Sequence, residues 1–154
     1  MDNSNNADLV PVVKAFLDGH RKAIFAISDK NGFPTTSLML YAVDDALNVY
    51  FGTRRAFGKY ADVTHQPVVS LSVMEEALDP LRVVDVRGTA TELSPEEAEH
   101  AHAFFKTKNS SKYYVEGAED FVMFKIVPHF IRWADASSGE LTLTDIPVPS
   151  QAHA

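Results

Sequence analysis

The chain has 154 residues and no cysteine, which predicts one domain with short tails and excludes disulfide scaffolds, zinc–thiolate sites, iron–sulfur clusters and cysteine nucleophiles. The chain has 14 Lys and Arg and 21 Asp and Glu, and the resulting net charge of −7 argues against nucleic acid as a partner. No apolar run reaches the ~20 residues of a membrane span, and the N-terminus lacks a signal-peptide pattern. We therefore expect a cytoplasmic protein without a membrane partner.

The first third of the chain has the pattern of one helix followed by strands with tight turns. Apolar residues at helical spacing predict a helix over residues 7–18. An Asn31-Gly32 pair is a strong hairpin signal. The expected strands form a meander, and they cover residues 22–28, 35–43 and 47–53.

The remainder adds strands and a well-capped helix. Ser94 and Glu97 form a capping box for a helix that ends near residue 107, and Gly88 marks a bulge in a long strand. We expect short helices over residues 57–64 and 109–117. Strands are expected at residues 68–74, 82–93 and 121–127, with extended chain continuing to residue 133 and a short edge strand at 141–144.

These elements predict a mainly β protein with a few helices. Six strands joined by short links favour a small antiparallel barrel, with a helix covering an open side. We expect the domain to span residues 7–135. Residues 1–6 are expected to be a disordered tail, and residues 136–154 a C-terminal tail.

A basic segment stands between the third strand and the next helix. Thr53, Arg54, Arg55 and Lys59 place a hydroxyl and three cations where a helix begins. Free N–H groups and the positive end of the helix dipole also lie at such a position, which suits a phosphate. A solvated basic loop on an acidic protein is the alternative interpretation.

Familiar catalytic and metal-binding patterns are absent from the sequence. It has no phosphate loop, dinucleotide fingerprint, zinc-binding H-E-x-x-H or nucleophile elbow. His100 and His102 are two positions apart on the expected helix, so they point to different sides. We therefore expect no metal site and identify no catalytic residue; Tyr41, Tyr50 and His65 are only possible acids or bases.

Several short motifs follow one another in a characteristic order between residues 20 and 133. They are Gly32-Phe-Pro34, Tyr50-Phe-Gly-Thr53, Lys59, Gln66-Pro67-Val-Val-Ser70-Leu71 and Val84-Asp-Val-Arg-Gly88-Thr-Ala90. Their order and spacing resemble the pyridoxamine 5′-phosphate oxidase-like FMN-binding split barrels. Phe57 stands where the oxidase has a serine, and Ser37 where it has a basic residue, so the chain looks more like general stress proteins or uncharacterised members.

The resemblance implies a six-stranded antiparallel split barrel that forms a homodimer, with FMN between the subunits. It assigns the flavin phosphate to Thr53, Arg54 or Arg55, and Lys59. The flavin would be lined by Ser37, Leu38 and Met39, and Trp133 would reach the cofactor.

The function that the resemblance implies is a flavin-dependent oxidoreductase acting on a small molecule. One alternative is a non-catalytic flavin-binding stress or storage protein. Related split barrels bind the deazaflavin F420 or heme, which leaves those cofactors open. The histidines that would serve a heme are His65 and His129.

Overall fold

The computed structural model describes residues 6–109 and 120–148. A 3-10 turn, Ala7–Leu9, leads into helix α1, Val10–Asp18, and the other helices are α2, Gly58–His65, and α3, Pro95–Lys108. The strands are β1, Lys22–Ser28; β2, Pro34–Leu40; β3, Ala42–Val43; β4, Val49–Arg54; β5, Val68–Met74; β6, Arg82–Glu92; β7, Phe121–Asp135; and β8, Thr142–Ile146.

One antiparallel sheet contains all eight strands. Their order is β2-β1-β5-β6-β7-β4-β3, and β8 pairs with the free side of β7. The strands at the two ends of this path, β2 and β3, are joined in the chain by the buried Tyr41 alone. The sheet must therefore curl until its ends meet, which confirms the predicted mainly β split barrel.

The strand count differs from the predicted six. The expected strand over residues 35–43 is interrupted at Tyr41, so one half pairs with β1 and the other with β4. The expected meander is thereby divided between the two ends of the sheet. The edge strand near residue 141 is confirmed as β8, and together with the buried Val148 it extends the sheet and core beyond residue 135.

The bulge expected at Gly88 is confirmed, and it explains why β7 runs on where we expected a strand end. The register of β6 and β7 shifts between Arg87 and Gly88, and Gly88 faces Pro128. A Cβ at Gly88 would overlap the carbonyl oxygen of Val127. Pro128 cannot donate a ladder hydrogen bond, and a bulge is where a strand tolerates this loss.

Two apolar clusters hold the helices onto the sheet. The larger fills the barrel, where Phe51 stacks on Phe124 with ring centroids 5.2 Å apart. The smaller lies on the outer face of the sheet under α3, around Phe105 and Met123. The predicted capping box starts α3, since Ser94 accepts a hydrogen bond from the Glu97 amide and the Glu97 side chain accepts one from the Ser94 amide.

Some expectations concern residues outside the described ranges. The predicted tail over residues 1–6 lies there except for Asn6, and the predicted helix over 109–117 except for Asn109. None of the described helices combines the length and apolar content required to cross a membrane.

Candidate functional site

The basic segment lies between a strand end and a helix start, as the sequence predicts. β4 ends at Arg54 and α2 begins at Gly58. The amide of Arg55 donates to the carbonyl of Asp120 at 2.8 Å, which fixes the path of the turn. Because side chains alternate along a strand, Phe51 and Thr53 face the barrel interior whereas Arg54 faces outward.

Thr53 and Lys59 bring a hydroxyl and an ammonium to the interior side. Thr53 is 4% exposed, and its Oγ1 has no hydrogen-bond partner among the described residues. Lys59 is half-buried, with Nζ 5.8 Å from the centroid of the Phe25 ring, and Phe25 packs on Phe51 at 5.0 Å. In the described part of the chain no carboxylate lies within 4.0 Å of Lys59 Nζ. Burial lowers the pKa of Lys59.

The two arginines of the segment already face carboxylates. Arg54 donates from Nε to Asp120 at 3.0 Å, and its Nη2 lies 2.8 Å from the same carboxylate. Arg55 reaches Glu92 through a single 3.4 Å contact. The Arg54 side chain lowers the pKa of Asp120 through these hydrogen bonds. Of the four predicted phosphate ligands, Thr53 thus has no hydrogen-bond partner and Lys59 has no carboxylate within 4.0 Å in the part of the chain that the structure describes.

The predicted flavin-lining residues occupy an outer strand of the sheet path. β2 pairs with β1, which places Ser37 opposite Phe25 and Met39 opposite Ala23. Cross-strand neighbours share one face, so Ser37 stands beside Phe25, whose ring lies under the Lys59 ammonium. Leu38 points to the other face, where 61% of it is exposed. The structure therefore places Ser37 on the same face as the Phe25 ring, which Lys59 approaches, whereas Leu38 lies on the other face.

Trp133 stands at the other end of β7 from Thr53. Thr53 is opposite Val122 at the start of β7, while Trp133 is near the end of that 15-residue strand. The path along β7 between these two positions is at most roughly 35 Å at a rise of about 3.3 Å per residue, and the bulge at Gly88 bends it. Trp133 is buried and packs edge-on against Phe16 of α1 at 5.0 Å. Its side chain therefore belongs to the α1 side of the barrel core.

Sequence reasoning missed the surroundings of the basic segment. Asp120 is separated from Arg54 by 66 positions, and Glu92 from Arg55 by 37. The Phe25 ring beneath Lys59 comes from β1, three strands earlier in the chain. No local pattern reports such distant contacts. Among the described residues, no group of three side chains is arranged to hold a metal ion.

Comparison with known proteins adds the family. The sequence matches the family described as pyridoxamine 5′-phosphate oxidase over residues 9–132, which is most of the chain. The chain belongs to this family. The predicted resemblance is thereby confirmed. No curated protein matches the sequence.

Solved structures similar to this member of the oxidase family share its fold. A conserved hypothetical protein from Mycobacterium tuberculosis has a TM-score of 0.72 at 21% identity, covering 87% of this chain and 89% of that one. The general stress protein 26 from Bacillus anthracis gives 0.64 at 19% identity, covering 81% and 92%. A heme-binding protein from Mycobacterium smegmatis gives 0.70 at 19%, covering 85% of this chain, which spans 56% of that protein. At these identities the likeness shows the fold alone.

The histidines considered for heme are both exposed in this family member. His129 Nε2 lies 2.6 Å from Thr89 Oγ1, on the outside of the bulge. His65 ends α2. Neither side chain is enclosed by an apolar cavity of the described structure.

Proposed function

We propose that the chain binds FMN and acts as a flavin-dependent oxidoreductase on a small molecule, with the flavin phosphate held by Thr53 and Lys59. The observation that carries the proposal is the buried Thr53 Oγ1, which has no hydrogen-bond partner among the described residues. The half-buried Lys59 ammonium lies on the same interior side, over the Phe25 ring that packs on Phe51. A buried polar group without a hydrogen bond is costly, and a phosphate oxygen would satisfy both groups at once. Family membership supports the same ligand class.

Within this proposal the chain binds and orients the flavin, which when bound supplies the electron-transfer chemistry. Thr53 would donate a hydrogen bond from its hydroxyl to a phosphate oxygen, and Lys59 would contribute the positive charge. Because an anion beside Nζ favours the protonated amine, phosphate binding raises the lowered pKa of Lys59. Affinity therefore falls as pH rises through the pKa of free Lys59.

The proposal includes a homodimer. Leu38 and Ile24 are direct cross-strand neighbours on the outer face of the sheet, and they are 61% and 41% exposed. Met74, on the neighbouring strand β5, is 50% exposed. Apolar side chains grouped on one face favour association. Light scattering tests this assembly, and a monomer at micromolar concentration would contradict it.

Flavin titration of matched variants tests the phosphate site. Lys59→Met should weaken FMN binding at least tenfold, because it removes the unpaired charge. Lys22→Met is the control, since Lys22 is an exposed lysine at the start of β1. Quenching of flavin fluorescence measures both affinities. Equal FMN affinity in Lys59→Met and the wild type would reject the site.

An absorption spectrum of the purified protein, before and after adding FMN and desalting, separates the cofactor classes. Two retained flavin bands support the proposal. A Soret band would replace FMN with heme, and a protein that retains no FMN would leave F420 or a role without a cofactor. Turnover with NADH or NADPH then distinguishes an oxidoreductase from a flavin store.

A further inference from the structure

A groove lies on the face of β4 opposite to the one that Thr53 occupies. It has a volume of about 330 Å³ and runs between α3 and the strands β4 and β7. This volume falls in the range of small-molecule sites. Its α3 side is formed by Glu97, His100, Ala101 and Phe104, whose spacing of three and four places them on one helix face.

Aromatic rings form the walls of the groove. Tyr50 of β4 and Phe104 of α3 meet edge-on, with centroids 5.6 Å apart and planes at 78°. Phe104 is 36% exposed, so one edge of this pair opens to solvent. Leu93 and Ala101 complete the apolar lining. Such walls suit a flat, apolar ring.

The carboxylate of Asp44 is fully used within the protein. Its Oδ1 accepts the amides of Ala46 and Asn48, and its Oδ2 accepts the Asn48 side chain and the Tyr50 hydroxyl at 3.0 Å. Burial and this last bond raise the pKa of Tyr50 to about 12, so the phenol stays a neutral donor. Asp44 therefore fixes the Tyr50 wall and has no role left as a ligand for a cation.

Two opposite charges line the groove without pairing with each other. Lys125 stands directly across from Tyr50 on β7, with Nζ 6.0 Å from the ring centroid. In the described structure no carboxylate lies within 4.0 Å of this ammonium. Glu97 uses Oε1 for the Ser94 amide, which leaves Oε2 open. An ammonium and a carboxylate that face one groove but do not meet can be bridged by a ligand carrying both charges.

We propose that this groove binds an aromatic zwitterion, an α-amino acid with a flat ring. The ligand carboxylate pairs with Lys125, its ammonium pairs with Glu97, and its ring lies against Tyr50 and Phe104. The site is separate from the flavin site, since the two lie on opposite faces of β4. It therefore adds a ligand that the proposed oxidoreductase activity does not require.

Calorimetric titration of the full chain with three probes tests the proposal. L-Phenylalanine carries both charges, 3-phenylpropionate lacks the ammonium, and phenethylamine lacks the carboxylate. We expect saturable binding of phenylalanine and at least tenfold weaker binding of either truncated probe. Equal affinity for all three, or no saturation by phenylalanine at millimolar concentration, would overturn it.

Two variants assign each charge to its partner. Lys125→Gln should weaken the binding of phenylalanine at least tenfold and leave the affinity for phenethylamine unchanged. Glu97→Gln should weaken phenylalanine and leave 3-phenylpropionate unchanged, and it keeps the helix cap because glutamine also serves in a capping box. Circular dichroism checks the fold of both variants. Phenylalanine affinity that is unaffected by either change in a folded variant would refute the assigned contacts.

Discussion

Replacing Thr53 by valine should move stability and flavin affinity in opposite directions. The Thr53 hydroxyl is buried and has no partner in the described structure, so the protein without flavin bears the full cost of its desolvation. A methyl group in its place removes that cost, and the free energy of unfolding should rise by about 1–3 kcal/mol. Urea denaturation of the flavin-free protein measures this change.

The same substitution removes a donor to the proposed phosphate. A hydrogen bond to a charged group contributes about 1.5–3 kcal/mol, which corresponds to roughly 10- to 150-fold weaker FMN binding. Thr53→Ser is the matched control, since it keeps the hydroxyl while losing a methyl. A Thr53→Val protein that is less stable than the wild type, or that binds FMN equally well, would refute the reasoning.

Three further changes test the fold. Gly88→Ala should lower the free energy of unfolding by about 2 kcal/mol in urea, because the new Cβ overlaps the Val127 carbonyl. Gly58→Ala is the control, since its Cβ meets open space and should not lower the free energy of unfolding. Ser94→Ala should cost about 1 kcal/mol by removing the α3 cap, a loss that thermal melting would detect. Burial lowers the pKa of Lys108 to about 8 in the folded protein. Between pH 8 and 10 the unfolded chain therefore binds more protons than the folded one, and the free energy of unfolding rises with pH. Urea midpoints measured over this range should show the rise, and a Lys108→Met variant with the same pH dependence would contradict the reasoning.

Strand positions were predictable wherever alternation and turn residues agreed. β1 and β5 have the bounds that the sequence predicts, and Gly32 adopts φ 83° in the expected turn. The break at Tyr41 was not predictable, because alternation continues through it from Met39 to Val43. The curl of the sheet divides β2 from β3. At this break the Tyr41 hydroxyl donates a hydrogen bond to the carbonyl of Leu17, at the end of α1, over 2.7 Å.

The candidate site was predictable in residue type but not in geometry. Local order along the chain identifies a strand end, a hydroxyl, cations and a helix start. It does not specify which face of the sheet each side chain occupies. Thr53 points inward and Arg54 outward in this register of β4, and a shift by one residue would reverse the two. Trp133 depends on a still larger scale, since its position relative to Thr53 follows from the length and the bend of β7.

The counter-charges around the basic segment rank its cations for ligand binding. Arg54 is held by two nitrogens against Asp120, whereas Arg55 touches Glu92 through one exposed 3.4 Å contact. Exposed ion pairs contribute little to stability, so a phosphate can draw Arg55 away from its partner more easily than Arg54. Lys59 needs no such exchange, since it is half-buried and no carboxylate of the described residues lies within 4.0 Å of its Nζ. The number of cations in the segment therefore overstates its binding charge, and the order in which they engage a phosphate should be Lys59, then Arg55, then Arg54.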